Sequence, residues 1–373
     1  MHRPTWVEID ISALTHNIMA IQKWIGPQVS IIGIVKADAY GHGDYEVCKV
    51  LHGQGVEIAG IAILEEGIHL RDKGIRTPLL LLGGVFEDQI DEVIRYNLMP
   101  TVYDLGLAGA LSKKARYFKR NVKVHVYVDT GMGSIGVKHN KAVEFVKALK
   151  TMQSIIVDGI YTHCSSSDEK DPSYTNLQIK RFKEVLAGLE EIKLPIPLRH
   201  MANSGAVIGH PDAYFNAVRP GLSLYGMYPA EEVSRNIRIR PVMSLKSKII
   251  HIKDMEAGDV VGYGRTHQIT KPSRIATLPL GYDDGYNRLH SNQGKVIIRG
   301  IKAPIVGRVC MDQCFVDVSG IRDASVGDEV VLYGSQGRET ITAESVARQL
   351  NTIPYEITCN VSKRVPRIYV NGK

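Results

Sequence analysis

A lysine lies among polar residues and glycines in the segment "VKADAYGHG", where Lys36 is followed by Asp38, Tyr40 and His42. The five residues that precede the lysine, "IIGIV", read as a buried strand. A lysine in such a place usually extends past the end of the strand to solvent. If the amine is partly shielded from water, however, it loses its proton more readily and can attack an aldehyde. We therefore predict a carbonyl-reactive lysine at position 36.

Further polar side chains follow later strand-like segments. They are His163 in "YTHCSSSDE", His200 and Ser204 in "RHMANS", and Arg219 in "VRPGLSLYG". A single histidine in such a position is more often a core or surface residue than part of a site. These residues, however, come at the ends of successive predicted strands, so we expect them to converge on one site.

The segment "VDTGMGSIG" offers a different interpretation. It places Gly131, Gly133 and Gly136 in a G-x-G-x-x-G pattern directly after a strand, with Asp158 further along the chain. This pattern is typical of dinucleotide-binding proteins, so a nicotinamide-dependent oxidoreductase is an alternative from another class. The match occurs at the fifth predicted strand instead of opening a βαβ unit, and this disfavours the alternative.

Eight apolar strands separated mostly by helical stretches position these residues. They begin at Ile31, Ile58, Leu79, Leu98, Val122, Ile155, Leu198 and Asn216. Helical periodicity occurs at Ser12–Gly26, Asn140–Lys150 and Leu177–Leu189. This βα repeat predicts an α/β fold with an N-terminal (β/α)8 TIM-type barrel, whose active site lies at the carboxyl ends of the strands.

The βα repeat ends near Ile239, and this change in the sequence pattern predicts a second domain. Short strands and turns such as "VMSLKSKIIHI", "KVIIRG" and "VVLYG" follow it, with one helical stretch near Thr342–Leu350. We expect a barrel domain over residues 1–238 and a mostly β domain over residues 239–373. The first strand, about residues 1–10, is able to pair with the second domain.

Composition excludes several classes of protein. The formal charge is +7, but the basic residues are scattered, so nucleic-acid binding is not expected. The sequence has neither a CxxC pair nor a His-x-x-x-His pair, so we expect no metal site. The N-terminus does not resemble a signal peptide, and no apolar run is long enough to span a membrane. The five scattered cysteines favour a reducing compartment, so we expect a cytoplasmic protein or the cytoplasmic domain of a membrane protein.

Together, the motifs resemble the alanine racemase family along essentially the whole chain. The matching segments are "VKADAYGHG", "DTGMG", "THCSSSDE", "HMANS", "RPGLSLYG", "GYGRT", "GYDDGY", "GRVCMDQ" and "RVPR", all in family order. The resemblance implies pyridoxal 5'-phosphate (PLP) as cofactor and racemisation of L- and D-alanine, which supplies D-alanine for peptidoglycan. It also implies a head-to-tail homodimer in which the partner's β domain completes each active site.

The resemblance also implies roles for individual residues. Lys36 would carry PLP and serve as the base on one face of the substrate, and Tyr263 of the partner subunit would serve on the other. His163 would support that tyrosine, Arg219 would face the pyridine nitrogen, and His200 would orient Arg219. The other implied cofactor contacts are Tyr40, Asn203, Ser204, Gly221, Leu222 and Tyr355. The implied substrate and entrance residues are Met311, Tyr282, Asp312, Arg288 and Asp168.

Two positions depart from the family pattern. Ser134 stands where the family generally has an arginine that contacts the substrate carboxylate, and Tyr127 stands where many members have a carbamylated lysine that supports that arginine. Ser134 is therefore also a candidate substrate contact. These departures leave a serine or dual serine/alanine racemase as an alternative, including the soluble domain of a membrane-bound vancomycin-resistance racemase. A related PLP decarboxylase is less favoured, because it would carry a catalytic cysteine in the role of Tyr263.

Overall fold

The computed structural model describes residues 3–230 and 235–372. The chain folds into two units. One unit spans Thr15–Ile239, and in the other the N-terminal residues up to Leu14 join those from Arg240 onward. The outer limits predicted for the two domains, residues 1 and 373, lie outside the described residues.

A closed parallel barrel forms the first unit. Its sheet contains β2 (Ser30–Ile34), β3 (Ile58–Ile61), β4 (Leu79–Leu81), β5 (Met99–Val102), β6 (Val122–Asp129), β7 (Val137–Lys138), β8 (Ile155–Tyr161), β9 (Leu198–His200) and β10 (Ala217–Val218). Strand β7 is a two-residue strand that pairs with β6. The other eight strands close into a barrel because β5 pairs with β6. These strands correspond to the predicted ones, so the predicted barrel is confirmed.

Helices connect the barrel strands. They span Ile11–Ile25, Asp44–Gly53, Leu64–Asp72, Ile90–Arg95, Leu105–Tyr117, Ala142–Lys150, Ser173–Glu191 and Ser204–Gly209, with a turn at Lys36–Tyr40 and short 3-10 helices at Glu87–Gln89, His139–Lys141, Pro211–Ala213 and Leu222–Tyr225. The helix Ala142–Lys150 shows why they form, because Ala142, Phe145, Val146 and Leu149 recur at helical spacing and are all buried. This helix thus turns an apolar stripe away from solvent.

An antiparallel sheet dominates the second unit. Its strands are β1 (Thr5–Asp10), β11 (Met243–Lys248), β12 (His251–Met255), β15 (Ser273–Leu278), β16 (Lys295–Ile298), β17 (Ile301–Val306), β18 (Cys314–Asp317), β19 (Glu329–Gln336), β20 (Glu339–Ile341) and β21 (Arg367–Val370). Strands β13 (Val260–Val261) and β14 (His267–Gln268) pair in a separate two-stranded sheet. Strand β1 pairs antiparallel with β11 and parallel with β21. The first strand of the chain therefore lies between two C-terminal strands.

The second unit also contains helices. They span Ala343–Gln349 and Pro354–Cys359, with 3-10 helices at Tyr263–Arg265, Tyr282–Asp284 and Arg288–His290. The hydroxyl of Thr342 accepts from the N–H of Ser345 and caps the first helix, at the place where the sequence predicted one. The helix Pro354–Cys359 was not predicted, because a segment of six residues is too short to show a helical period. Within the described residues, no helix combines the length and apolar character needed to cross a membrane.

Candidate active site

Lys36 begins an unusual backbone turn just after strand β2. The four residues that follow it, 37–40, all have φ between 53° and 55°, in the left-handed region, although none is glycine. Each left-handed residue costs roughly 1–2 kcal/mol relative to a right-handed one. Backbone bonds offset part of this cost, from Ala39 N to Val35 O at 2.8 Å and from Gly41 N to Ala37 O at 3.0 Å. Strain of this kind in four successive residues is typical of a functional site.

Arg219 joins two histidines beneath the carboxyl ends of the strands. Its Nη1 donates to His200 Nδ1 at 2.7 Å, and its Nη2 donates to His163 Nδ1 at 3.1 Å and to the carbonyl oxygen of Thr162 at 2.6 Å. Because a guanidinium has no acceptor, both Nδ1 atoms must be acceptors, and both rings carry their proton on Nε2 when they are neutral. The arginine therefore sets the tautomer of each histidine.

A third histidine extends this chain of hydrogen bonds. His200 Nε2 lies 2.9 Å from His125 Nδ1, and His125 is fully buried on strand β6. Burial lowers the pKa of His125 to about 4 and that of His163 to about 3, where the positive charges of Arg219 and Lys36 add to the effect. These histidines are thus neutral at neutral pH. His125 was not predicted as a site residue, and its signal in the sequence is a polar residue inside the apolar strand "VKVHVYV".

The strand register brings three flat side chains together beside Arg219. Tyr127 on β6 is paired with Tyr161 on β8, which is paired with His200 on β9. The rings stack in that order, with centroids 4.7 Å and 4.8 Å apart. The Arg219 guanidinium lies 4.8 Å from the centre of the Tyr161 ring, which favours its cationic form. The stack holds Arg219 and His200 in place on a rigid part of the barrel.

Ser134 and Tyr127, the two departures from the family pattern, lie near each other. The hydroxyl of Tyr127 is 3.5 Å from Ser134 Oγ. Tyr127 is buried, and its burial raises the pKa of its phenol. Ser134 therefore has a short hydroxyl side chain where the family generally has an arginine. Tyr127 has a neutral phenol where many members have the carbamylated lysine that supports that arginine.

A group of hydroxyl and N–H groups lies near the ends of β9 and β10. Ser204 Oγ accepts from Gly221 N at 3.0 Å and from Ser223 N at 3.1 Å, and Asn203 caps the helix Ser204–Gly209 through a bond from Ala206 N. The Tyr40 hydroxyl lies where a side chain at Gly221 would be, 2.5 Å from an added Cβ. Only glycine leaves room for this close approach, and the resulting cluster of donors suits an anion such as a phosphate.

The second unit has its own candidate surface, an open cavity of 810 Å³. Its lining residues are Gly262, Tyr263, Tyr282, Cys310, Met311, Asp312, Gln313 and Phe315. Tyr263 is 73% exposed and Met311 is 52% exposed, so the phenol and the neighbouring backbone are accessible. Four of the predicted residues thus share one cavity, whereas Arg288 and Tyr355 lie in the same unit but do not line it.

An ion-pair cluster supports the wall of this cavity. The Arg364 guanidinium contacts Asp283 at 2.5 Å, Asp284 at 2.6 Å and also Asp312, and Arg3 contacts Asp284 at 2.5 Å. The Asp284 carboxyl is 0% exposed and also accepts from the N–H of Gly281 at 3.0 Å. These contacts join the segment that carries Tyr282 to the segment that carries Met311.

Asp284 should make stability of the β unit depend on pH. Burial alone would raise the pKa of its carboxyl, but bonds from Arg364, Gly281 and Arg3 hold it below the usual 3.8. The stabilisation is present above pH 3.8 and is lost as pH falls through the folded-state pKa. We expect Asp284→Asn to destabilise the protein by about 3 kcal/mol at pH 7, because it breaks a buried ion pair.

Denaturant unfolding of both proteins between about pH 2.5 and 7 measures this effect. The difference in free energy of unfolding should shrink below pH 3.8. Asp254→Asn is the matched control, because that carboxylate is 89% exposed in the same unit and should change little. A difference that stays constant across this pH range would contradict the role assigned to Asp284.

Within the described residues, no cluster of three or more histidine, cysteine, aspartate or glutamate side chains could hold a metal ion. The site instead offers a lysine amine, a buried arginine, neutral histidines and an anion cradle. This donor set fits a phosphorylated organic cofactor that is attached through an amine.

Comparisons with known proteins agree with the fold. The family model described as "Alanine racemase, N-terminal domain" matches residues 9–229, and "Alanine racemase, C-terminal domain" matches residues 242–369. An alanine racemase of Halothermothrix orenii is 46% identical over 99% of this chain and 97% of its own length. The barrel and the β unit are together the architecture of an amino-acid racemase. The chain belongs to the alanine racemase family, and the family predicted from the motifs is confirmed.

Two solved structures are similar over the whole chain. An alanine racemase of Clostridium difficile 630 gives a TM-score of 0.96 at 38% identity and covers 100% of this chain and 97% of its own. The alanine racemase of Bacillus anthracis with bound L-Ala-P gives a TM-score of 0.93 at 34% identity. This match covers 100% of the present chain and 96% of the Bacillus anthracis chain. The predicted fold class, a barrel followed by a mostly β domain, is therefore confirmed.

Proposed function

We propose that this protein interconverts L- and D-alanine with PLP carried by Lys36, and so supplies D-alanine for peptidoglycan. The observation that carries the proposal is the position of Lys36 at the end of a barrel strand, in the same unit as the linked side chains of Arg219, His163 and His200. The serine alternative is not favoured, because the relatives that match the full chain are named alanine racemases. The same relatives give no support to the oxidoreductase alternative.

The residues of the barrel suit PLP. Tyr40, Ser204 and the backbone N–H groups of Gly221 and Leu222 would hold the phosphate, for which the Gly221 N–H would exchange its bond to Ser204 Oγ. Asn203 keeps the start of the neighbouring helix in place. The bound cofactor would supply an electron-withdrawing ring that acidifies the Cα–H of the substrate. Arg219 would donate to the pyridine nitrogen. Because a guanidinium cannot accept a proton, this nitrogen would stay unprotonated, which disfavours side reactions such as transamination.

Racemisation requires that a proton leave one face of Cα and that another arrive on the opposite face. Lys36 would serve one face and Tyr263 of the partner subunit the other. His163 accepts from Arg219 at Nδ1, so its remaining proton is on Nε2 and can be donated to a phenolate oxygen. Such a bond stabilises the deprotonated phenol and makes it a better base.

The substrate carboxylate would bind at the cavity of the β unit. The Met311 backbone N–H would donate to it, and Tyr282, Asp312, Arg288 and Asp168 would line the entrance. We also propose a head-to-tail homodimer that shares its active sites, which the membership of the alanine racemase family supports. The five cysteines are free thiols, which supports a cytoplasmic location.

A chiral assay tests the proposed function. The purified protein with added PLP is incubated separately with L-alanine, D-alanine and L-serine, and the enantiomers are separated on a chiral column. We expect both alanine enantiomers to approach an equal mixture, with serine reacting more slowly. Failure of a folded, PLP-loaded protein to racemise alanine would overturn the proposal.

Replacing Ser134 and Tyr127 should alter substrate binding. An arginine bonded to a carboxylate contributes roughly 1.5–3 kcal/mol, so we expect Ser134→Arg to lower the KM for alanine by about tenfold or more. The double variant with Tyr127→Lys provides a support for that arginine and should also discriminate more strongly against serine.

Steady-state kinetics with both amino acids measure this prediction, and Ser134→Ala is the control for loss of the hydroxyl alone. If KM and the alanine-to-serine ratio of kcat/KM stay unchanged in a PLP-loaded double variant, position 134 does not face the substrate.

A further inference from the structure

We infer that Glu66, on the helix Leu64–Asp72, is a positioning residue for Lys36. The inference deepens the proposed function and rests on it. Glu66 Oε1 accepts a hydrogen bond from the backbone N–H of Ala37 at 2.6 Å, and Oε2 accepts from the N–H of Ala62 at 2.7 Å. One carboxylate therefore ties the segment after β3 to the residue that directly follows the lysine.

The Ala37 N–H belongs to the peptide group that it shares with Lys36. Because a peptide group is planar, a bond that fixes the direction of this N–H also fixes the carbonyl of Lys36 and limits rotation at its Cα. The lysine is otherwise exposed at the start of the left-handed turn, so its own side chain has little packing to hold it. The carboxylate thus fixes the direction in which the lysine leaves the backbone.

The left-handed turn explains why such a bond is needed. Residues 37–40 hold a conformation that L-amino acids disfavour, and the turn leads directly to Tyr40 and its contact with Gly221. The Glu66 bond lies at the first peptide of the turn, where the chain leaves strand β2. We expect loss of this bond to let the turn relax at the lysine while the barrel remains folded.

Glu66 also caps its own helix, and this second role must be separated from the first. Its Oε2 lies 3.4 Å from the N–H of Ile63 as well as near Ala62, at the first turn of the helix Leu64–Asp72. An aspartate at position 66 is one methylene shorter. It can still accept from N–H groups at its own helix start, but it cannot reach Ala37.

Four variants test the inference: Glu66→Asp, Glu66→Gln, Glu66→Ala, and Glu65→Ala as a control that removes a neighbouring exposed charge from the same helix turn. Amide hydrogen exchange of the peptide that contains Ala37 is measured without cofactor, and kcat/KM and the Kd for PLP are measured after loading. Loss of a charge-assisted bond predicts about tenfold faster exchange and about tenfold lower kcat/KM in Glu66→Asp and Glu66→Ala.

Glu66→Gln has one acceptor oxygen and an NH2 group in place of the second, so it can keep the bond from Ala37 or the bond from Ala62 but not both, and it should fall between the parent and Glu66→Ala. Glu65→Ala should stay within about threefold of the parent. Glu66→Asp should keep the parent Tm, because the helix cap survives. Parent-like exchange and kcat/KM in Glu66→Asp would overturn the inference and leave Glu66 as a helix cap only. The exchange result does not depend on the reaction. A failure of the proposed function would therefore show separately, as a PLP-loaded parent that does not racemise alanine.

Discussion

Lys36→Ala should lose racemisation of alanine by at least about 10³-fold, because the residue proposed to carry the cofactor and to transfer a proton is removed. The loss should be the same from L-alanine and from D-alanine, since both directions need the same two bases. The lysine side chain is exposed, so in the absence of PLP the variant should unfold at the same temperature as the parent. Initial rates on a chiral column and thermal unfolding measure the two effects.

Two further measurements separate this role from a general loss of structure. After gel filtration the parent should retain its PLP absorption, and the variant should retain less because the covalent attachment is gone. Lys49→Ala is the matched control, since that lysine lies on the helix Asp44–Gly53, where it pairs with Glu46 and contacts the ring of Tyr45. A Lys36→Ala protein that racemises alanine at the parent rate would refute the assignment.

The sequence predicted the barrel because its strands carry strong local signals. Strand β4 is buried along its whole length, and β6 and β8 are long apolar segments bounded by polar loops. The helix Ala142–Lys150 has an apolar stripe at the expected period. Parallel strands in a closed barrel end at the same face, so residues that follow them in the sequence were expected to converge. His163, His200 and Arg219 do so through hydrogen bonds.

Other features depend on contacts between distant parts of the chain and leave little trace in the sequence. Glu66 looks like one of two acidic residues at a helix start, and its bond to Ala37 depends on the packing of neighbouring strands. The left-handed turn at residues 37–40 contains no glycine, so the usual signal for positive φ is missing. His125 is paired with Gly159 on the intervening strand, where a Cβ would come within 2.3 Å of its ring, and its bond to His200 depends on this missing side chain.

Tyr263→Phe should abolish racemisation to a similar extent, about 10²- to 10⁴-fold, because one face of the substrate loses its base. The side chain is 73% exposed in the single chain, so loss of its hydroxyl should leave the fold of the subunit unchanged. Lys36 would remain able to remove the proton from one enantiomer and return it to the same face. In D₂O we therefore expect that enantiomer to exchange its α-hydrogen without racemising, while the other neither exchanges nor racemises. Proton NMR measures the exchange.

A mixture of the two inactive variants tests whether the bases come from different chains. If each site uses Lys36 of one subunit and Tyr263 of the partner subunit, a heterodimer of Lys36→Ala with Tyr263→Phe contains one site with both bases and one with neither. Random mixing of equal amounts makes half of the dimers heterodimers, so about a quarter of the parent activity should return. Differently tagged subunits, purified as heterodimers, should show about half. Heterodimers without activity would place both bases on one chain, because each site would then lack one of them.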